Sequence, residues 1–202
     1  MANRFELRLN ALGAAANDGQ TANEIRLITE IWIDGRYLDE PHPINLIALM
    51  MSIHHPGSHY IFTCECGISD CAGIPEGVVV LHSENKVVWR MRRPQSYRST
   101  PELSISAWEA SASWFSFEFD RDQMMASVCA YLIRLRHTIR HSTVKVQWPI
   151  LGFDLEAIFR IDPRHEEGVF YSPNIYVRSG FVKLFPSSDS ISENDEKIDD
   201  AE

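Results

Sequence analysis

The sequence predicts one α+β domain in which antiparallel hairpins form a sheet packed against one long helix and a shorter buried helix. Three observations carry that prediction. From Glu24 onward Ile25, Leu27, Thr29, Ile31 and Ile33 fall on one face and Arg26, Glu30 and Trp32 on the other, the period of a half-buried strand. Met124, Val128, Leu132, Leu135 and Ile139 repeat at helical spacing, with Gln123, Arg134, His137 and His141 facing away. Ile44 to Ile53 is apolar nearly all round and rich in Leu, Ala and Met, which reads as a buried helix stopped by Pro56-Gly57.

The remaining elements follow in order. Phe5 to Leu9 alternates as a strand, and Ala11 to Thr21 reads as a flexible loop. Asp34-Gly35 is a strong two-residue hairpin signal, with Arg36-Tyr37-Leu38 as the return strand. Pro41 and Pro43 end that pairing. Three short strands are expected at Tyr60–Cys64, Gly77–His82 and Lys86–Met91, the last two joined by a Ser83-Glu84-Asn85 turn. Arg92 to Pro101 is a loop. Trp114 to Phe119 alternates again, with Phe115, Phe117 and Phe119 pointing one way. Asp120 is placed to cap the long helix, with Gln123 as its capping-box partner. Strands at Val144–Trp148 and Ile175–Phe185 and a short helix around Leu155 complete the reading.

Residues 1–185 are taken as the single folded domain and 186–202 as an acidic, disordered tail. At this length roughly 70% of the unfolded chain's surface would be buried, enough for a core without staples. The tail carries seven acids against Lys197, a net of −6, which leaves −3 of the chain's −9 for the body. Such a segment has little apolar surface to offset its ordering entropy. Net negative charge also disfavours nucleic acid as a partner, because phosphate repels it. No apolar run reaches the length of a membrane helix, and Met1 to Asn10 lacks a signal-peptide core, so no membrane is expected and the cytoplasm is the expected compartment.

Reactive side chains are densest at Cys64-Glu65-Cys66-Gly67-Ile68-Ser69-Asp70-Cys71, flanked by His54, His55, His59 and His82. Thiols of a cytosolic chain stay reduced, so a metal comes to mind before a disulfide. Cys64, Cys66 and Cys71 with His82, or His59, would supply the four ligands of a zinc site. Geometry opposes it, since alternate residues of an extended strand point to opposite faces. The preferred reading is structural, with these cysteines packed as small apolar residues and no cofactor held. Cys129, on the flank of the long helix, reads as an inert thiol. His137 and His141 share a helix face but sit beside Arg134 and Arg140, and read as a solvated surface. Arg90, Arg92, Arg93 and Arg98, interleaved with Trp89 and Tyr97, read as an ordinary charged loop. The sequence holds no glycine-rich phosphate loop, nucleophile elbow or dinucleotide fingerprint, and no catalytic residue is assigned.

Phe62-Thr63-Cys64-Glu65-Cys66-Gly67, Cys71-Ala72-Gly73, Val78–His82 and Val87-Val88-Trp89, followed by Phe119-Asp120-Arg121-Asp122-Gln123, resemble a family of uncharacterised bacterial proteins. That family combines a cysteine-rich turn, a hydrophobic hairpin ending in Val-x-Trp and a Phe-Asp-Arg-x-Gln helix start. With the Asp34-Gly35 hairpin included, the resemblance spans about Glu24 to Tyr131, and it departs at Met124, where many members have an aromatic. The chain is also generally similar to immunity proteins of bacterial polymorphic toxin systems. That likeness implies a non-catalytic inhibitor that covers the active site of a cognate protein toxin. Arg26, Glu30 and Trp32 on the polar strand face, together with the acidic tail, are the expected contact residues. The alternative is a zinc-supported adaptor or nucleic-acid-binding module.

Overall fold

The computed structural model describes residues 1–13, 24–38, 43–64, 77–92, 114–148, 155–165, 175–178 and 181–184. The strands β1 (Phe5–Gly13), β2 (Glu24–Ile33) and β3 (Arg36–Tyr37) form an antiparallel meander. Asp34 and Gly35 turn the second hairpin, both with positive φ, as the tightest twisted turn requires. That turn sets Ile33 opposite Arg36 and Trp32 opposite Tyr37. β1 runs further than the sequence suggests. Ala11, Leu12 and Gly13, expected in a loop, pair with Leu27, Arg26 and Ile25, because the long β2 offers them ladder partners.

The buried helix is α1 (Leu46–His54), capped by Asn45, whose Oδ1 accepts the Ala48 N–H. It ends where Pro56 bars the preceding residue from helical backbone. The next strand, β4 (Gly57–His59), lies three residues before the expected Tyr60–Cys64. Ile61, Phe62 and Thr63 are instead buried against the entry to α1, where the Asn45 N–H donates to Ile61 O and the Thr63 N–H to Pro43 O.

A second antiparallel sheet runs β4, β5 (Val78–Ser83), β6 (Lys86–Arg92), β7 (Trp114–Asp120). Gly77 enters it at φ +70°, where an added Cβ would lie 2.9 Å from His59 O, so this approach to β4 needs glycine. Its inner face presents Val80, Val87, Trp89, Phe115, Phe117 and Phe119 to the core, and the alternation read from Trp114 to Phe119 holds. The sheets meet where Asn3 N donates to Glu118 O at 2.6 Å and Phe5, Trp89 and Phe119 pack edge to face at 5.2–5.7 Å.

The long helix α2 (Arg121–His141) begins as expected, with Asp120 Oδ1 accepting the Gln123 N–H at 2.9 Å. Met124, Val128, Leu132 and Leu135 are buried, joined by Tyr131, whose hydroxyl bonds Thr29 Oγ1 at 2.5 Å. Gln123 does not face away. Its Oε1 accepts the Phe5 N–H at 3.2 Å and its Nε2 donates to Phe5 O at 2.6 Å, while Ser127 Oγ accepts the Leu7 N–H at 3.0 Å. Four helical residues rise about 6 Å and two strand residues about 6.7 Å, so side chains at i and i+4 of α2 can serve alternate amides of the β1 edge.

β8 (Lys145–Gln147) then returns to the first sheet, parallel to β2. This pairing departs from an all-hairpin reading. α3 (Leu155–Arg160) follows, and β9 (Ile175–Arg178) with β10 (Phe181–Leu184) forms a two-stranded hairpin. No helix among the described residues is long and apolar enough to cross a membrane. The mixed α+β class, with antiparallel sheets packed against a long helix, is as the sequence predicts.

Candidate functional site

Two surfaces stand out on either side of α2. The first is the outer face of β1–β2–β3. Because side chains alternate, Glu6, Arg8 and Asn10 share this face with Arg26, Ile28, Glu30 and Trp32, and the ladder sets Glu6 opposite Trp32 and Arg8 opposite Glu30. The Arg8 guanidinium lies 3.8 Å from the centroid of Trp32, which also stacks on Tyr37 at 5.5 Å and 22°. Arg8 donates along its edge to both oxygens of Glu6, at 2.9 and 3.1 Å. This bond holds the Glu6 carboxyl below the usual carboxylate range. Trp32 Nε1 donates to Glu30 Oε2 at 2.9 Å, and Asn10 Nδ2 to Glu30 Oε1 at 3.1 Å.

The result is a half-exposed guanidinium–indole–phenol ladder in which Arg8 is paired with Glu6 and Glu30 is hydrogen-bonded by Trp32 and Asn10. Trp, Tyr and Arg are the residue types that dominate interface energetics. Side chains already fixed before association lose less entropy on it. Of the three residues nominated from sequence, Glu30 and Trp32 meet in this cluster. Arg26 lies six residues along the strand from Trp32, about 20 Å away. Arg8 and Tyr37 were missed, although the two-residue turn already places Tyr37 beside Trp32.

The second surface is a groove of about 980 Å³ between the solvent side of α2 and residues 158–165. Its floor is apolar, with Met125, Leu132, Phe159 and Ile161, and Ile133 at its edge is 69% exposed. Arg136 donates through Nη2 to Phe159 O and lies over the Phe159 ring at 5.5 Å. Arg164 grips Asp162 with Nε at 2.8 Å and Nη2 at 2.6 Å, which pulls the Asp162 pKa down to about 2. Arg121, Arg136 and Arg160 line the groove together with Asp122, whose Oδ2 accepts from Asn85 Nδ2 at 3.0 Å, and no ion pair joins any of the three arginines to a carboxylate among the described residues. Cys129 is a free cysteine on the groove wall, partly exposed, and burial pushes its thiol up, away from the reactive thiolate.

The histidines flanking the cysteine cluster are tied to main-chain carbonyls. His54 Nε2 donates to Pro163 O at 2.7 Å, His59 Nε2 to His55 O at 2.9 Å and His82 Nε2 to Ser52 O at 3.0 Å. A carbonyl only accepts, so each of these Nε2 atoms carries its proton. Burial lowers the pKa of both His59 and His82. Cys64 is disulfide-bonded, contrary to the expectation of reduced thiols, and in that state its sulfur is no zinc thiolate. Its partner, Cys66 and Cys71 lie outside the described residues, as do Arg93, Tyr97, Arg98 and the tail. No group of three or more His, Cys, Asp or Glu among the described residues is placed to hold a metal. The rings of His137 and His141 lie 4.4 Å apart, tilted by 42°, on the outer side of α2, and Trp89 is a core residue rather than part of a basic patch.

No family model, curated protein or solved structure matches this chain.

Proposed function

We propose that this protein is a non-catalytic inhibitor that binds one specific protein partner, in the manner of an immunity protein covering the active site of a cognate bacterial toxin. The observation that carries the reading is the Arg8–Trp32–Tyr37 ladder. It is a half-exposed stack of the three side chains richest in binding energy, clamped by Glu6 and Glu30 before any partner arrives. Its rings supply contact area and its paired charges set register, so a complementary surface would find a preorganised anchor. An inhibitor that must outlast a lethal enzyme needs about nanomolar affinity, about −12 kcal/mol, and a few such anchors supply most of it.

The test is direct binding between the purified chain and the protein encoded by the adjacent reading frame, together with survival of cells that express that protein. Tight binding lost on Trp32→Ala, with protection lost in parallel, is the expected result. If the purified chain turned over a small molecule and cells carrying the adjacent gene survived without it, the reading would be wrong.

A further inference from the structure

The groove on the solvent side of α2 holds one guanidinium that the described residues leave unused. The Arg121 side chain forms no ion pair and no hydrogen bond among them, and its Nε is buried without a partner. A buried charged donor with no acceptor is costly, so the position favours an acceptor brought from outside. The other arginines of the groove are committed or outlying. Arg164 grips Asp162, Arg136 donates through Nη2 to Phe159 O and lies over its ring, and Arg160 is exposed.

The acceptor that fits carries a single charge. Asp122 also lines the groove, and its Oδ2 takes a bond from Asn85 Nδ2 at 3.0 Å rather than pairing with Arg121. That fixed carboxylate repels a second negative charge, which sets polyphosphates and nucleic acid aside. The fork of a guanidinium matches the two oxygens of one carboxylate. From Arg121 the apolar floor runs past Met125 and Leu132, against Phe159 and Ile161, to the exposed Ile133. Arg121 to Ile133 is a rise of about 18 Å along α2. A zigzag of twelve carbons with bonds of about 1.5 Å spans about 14 Å, which leaves room for the head. The volume, about 980 Å³, is that of a small-molecule site.

We propose that the groove between α2 and residues 158–165 binds a long-chain monocarboxylate of the fatty-acid class, with its carboxylate on Arg121 and its alkyl chain over Met125, Leu132, Phe159 and Ile161. The head gives Arg121 the acceptor it lacks, and the chain covers apolar surface that otherwise faces water. The proposal does not depend on the inhibitor reading, and its test needs no protein partner.

Calorimetric titration of the full chain with sodium laurate, kept below its micelle concentration, is expected to saturate at one laurate per chain. Cys129, on the groove wall, reports the place. At about ten times Kd, laurate should slow its alkylation by N-ethylmaleimide at least about fivefold, with mass mapping of its peptide separating it from the other cysteines. Head and tail are tested apart on the unaltered chain. Dodecanol, which lacks the charge, and butyrate, which lacks the chain, should each bind at least about tenfold more weakly than laurate. Arg121→Met keeps the aliphatic stem and should weaken laurate at least about tenfold, whereas Arg140→Met, outside the groove, should change it less than about twofold. The proposal is overturned if laurate fails to bind, adsorbs beyond one per chain or leaves Cys129 unprotected. Dodecanol or butyrate matching laurate overturns it too, as does a folded Arg121→Met chain with the parent's affinity.

Discussion

The ladder on β1–β2–β3 and the groove on α2 are built from the same kinds of side chain, arginines beside aromatic and aliphatic surface, yet they differ in how charge is answered. On the sheet, Arg8 lies over Trp32 and donates to Glu6, and Glu30 takes bonds from Trp32 and Asn10. In the groove, Arg164 is paired with Asp162, while Arg121, Arg136 and Arg160 form no ion pair among the described residues, although Asp122 lines the groove with them. A face that satisfies itself is stiff and preorganised. A face that does not keeps a field that reaches further and falls with salt. One helix separates the two surfaces, since α2 holds β1 with its inner side and walls the groove with its outer side.

The largest effect should come from breaking the ladder. Trp32→Ala is expected to weaken partner binding by about 2–4 kcal/mol while lowering stability by about 1 kcal/mol or less, because the ring is half-exposed. Calorimetric titration beside a urea melt checks both. Next comes the part that joins the two surfaces. Gln123→Leu leaves the Phe5 N–H and C=O without their partners and should cost about 2–3 kcal/mol. Hydrogen exchange should then show both β1 and the start of α2 less protected. If β1 stays protected, α2 is not what holds the edge. Tyr131→Phe removes the bond to the buried Thr29 hydroxyl and should cost about 1 kcal/mol, read from the urea midpoint at unchanged slope.

Acidification should separate the second sheet from the ladder by a smaller margin. His59 and His82 have folded pKa values lowered below the ordinary 6.5 by burial, so below 6.5 the unfolded chain binds more protons than the folded one. Their contribution is full above pH 6.5 and is lost as the pH falls from 6.5 toward the lowered values. His59 lies in β4 and His82 in β5, where it reaches Ser52 O of α1, whereas the ladder contains no histidine. Amide protection at pH 5 against pH 7 should therefore fall around α1 and β5 before it falls in β1–β2. A uniform loss would contradict this.

Local pattern made much of this molecule legible. Alternation identified the inner faces of β2 and β7, helical spacing found the buried stripe of α2, and the Asp34-Gly35 and Asp120 signals marked a turn and a cap that the structure places there. It also put Glu30 and Trp32 on one outward face. Gln123 was misassigned because its angular position on α2 is polar in type. A glutamine facing a strand edge cannot be distinguished by periodicity from one facing water. Arg8 escaped notice for a related reason: residues 14–23 separate β1 from β2, and a connection of that length leaves the register between the strands open.

The sequence by itself determined which residues alternate, where the chain turns tightly and how charge divides between body and tail, since each follows from spacing and residue type over a few positions. Only the tertiary structure decided that Arg8 lies on Trp32, that α2 serves the β1 edge through Gln123 and Ser127, that β8 joins β2 in parallel, and that three arginines meet over an apolar floor. Those arrangements bring together residues tens of positions apart, and their geometry depends on register and packing that no local period encodes.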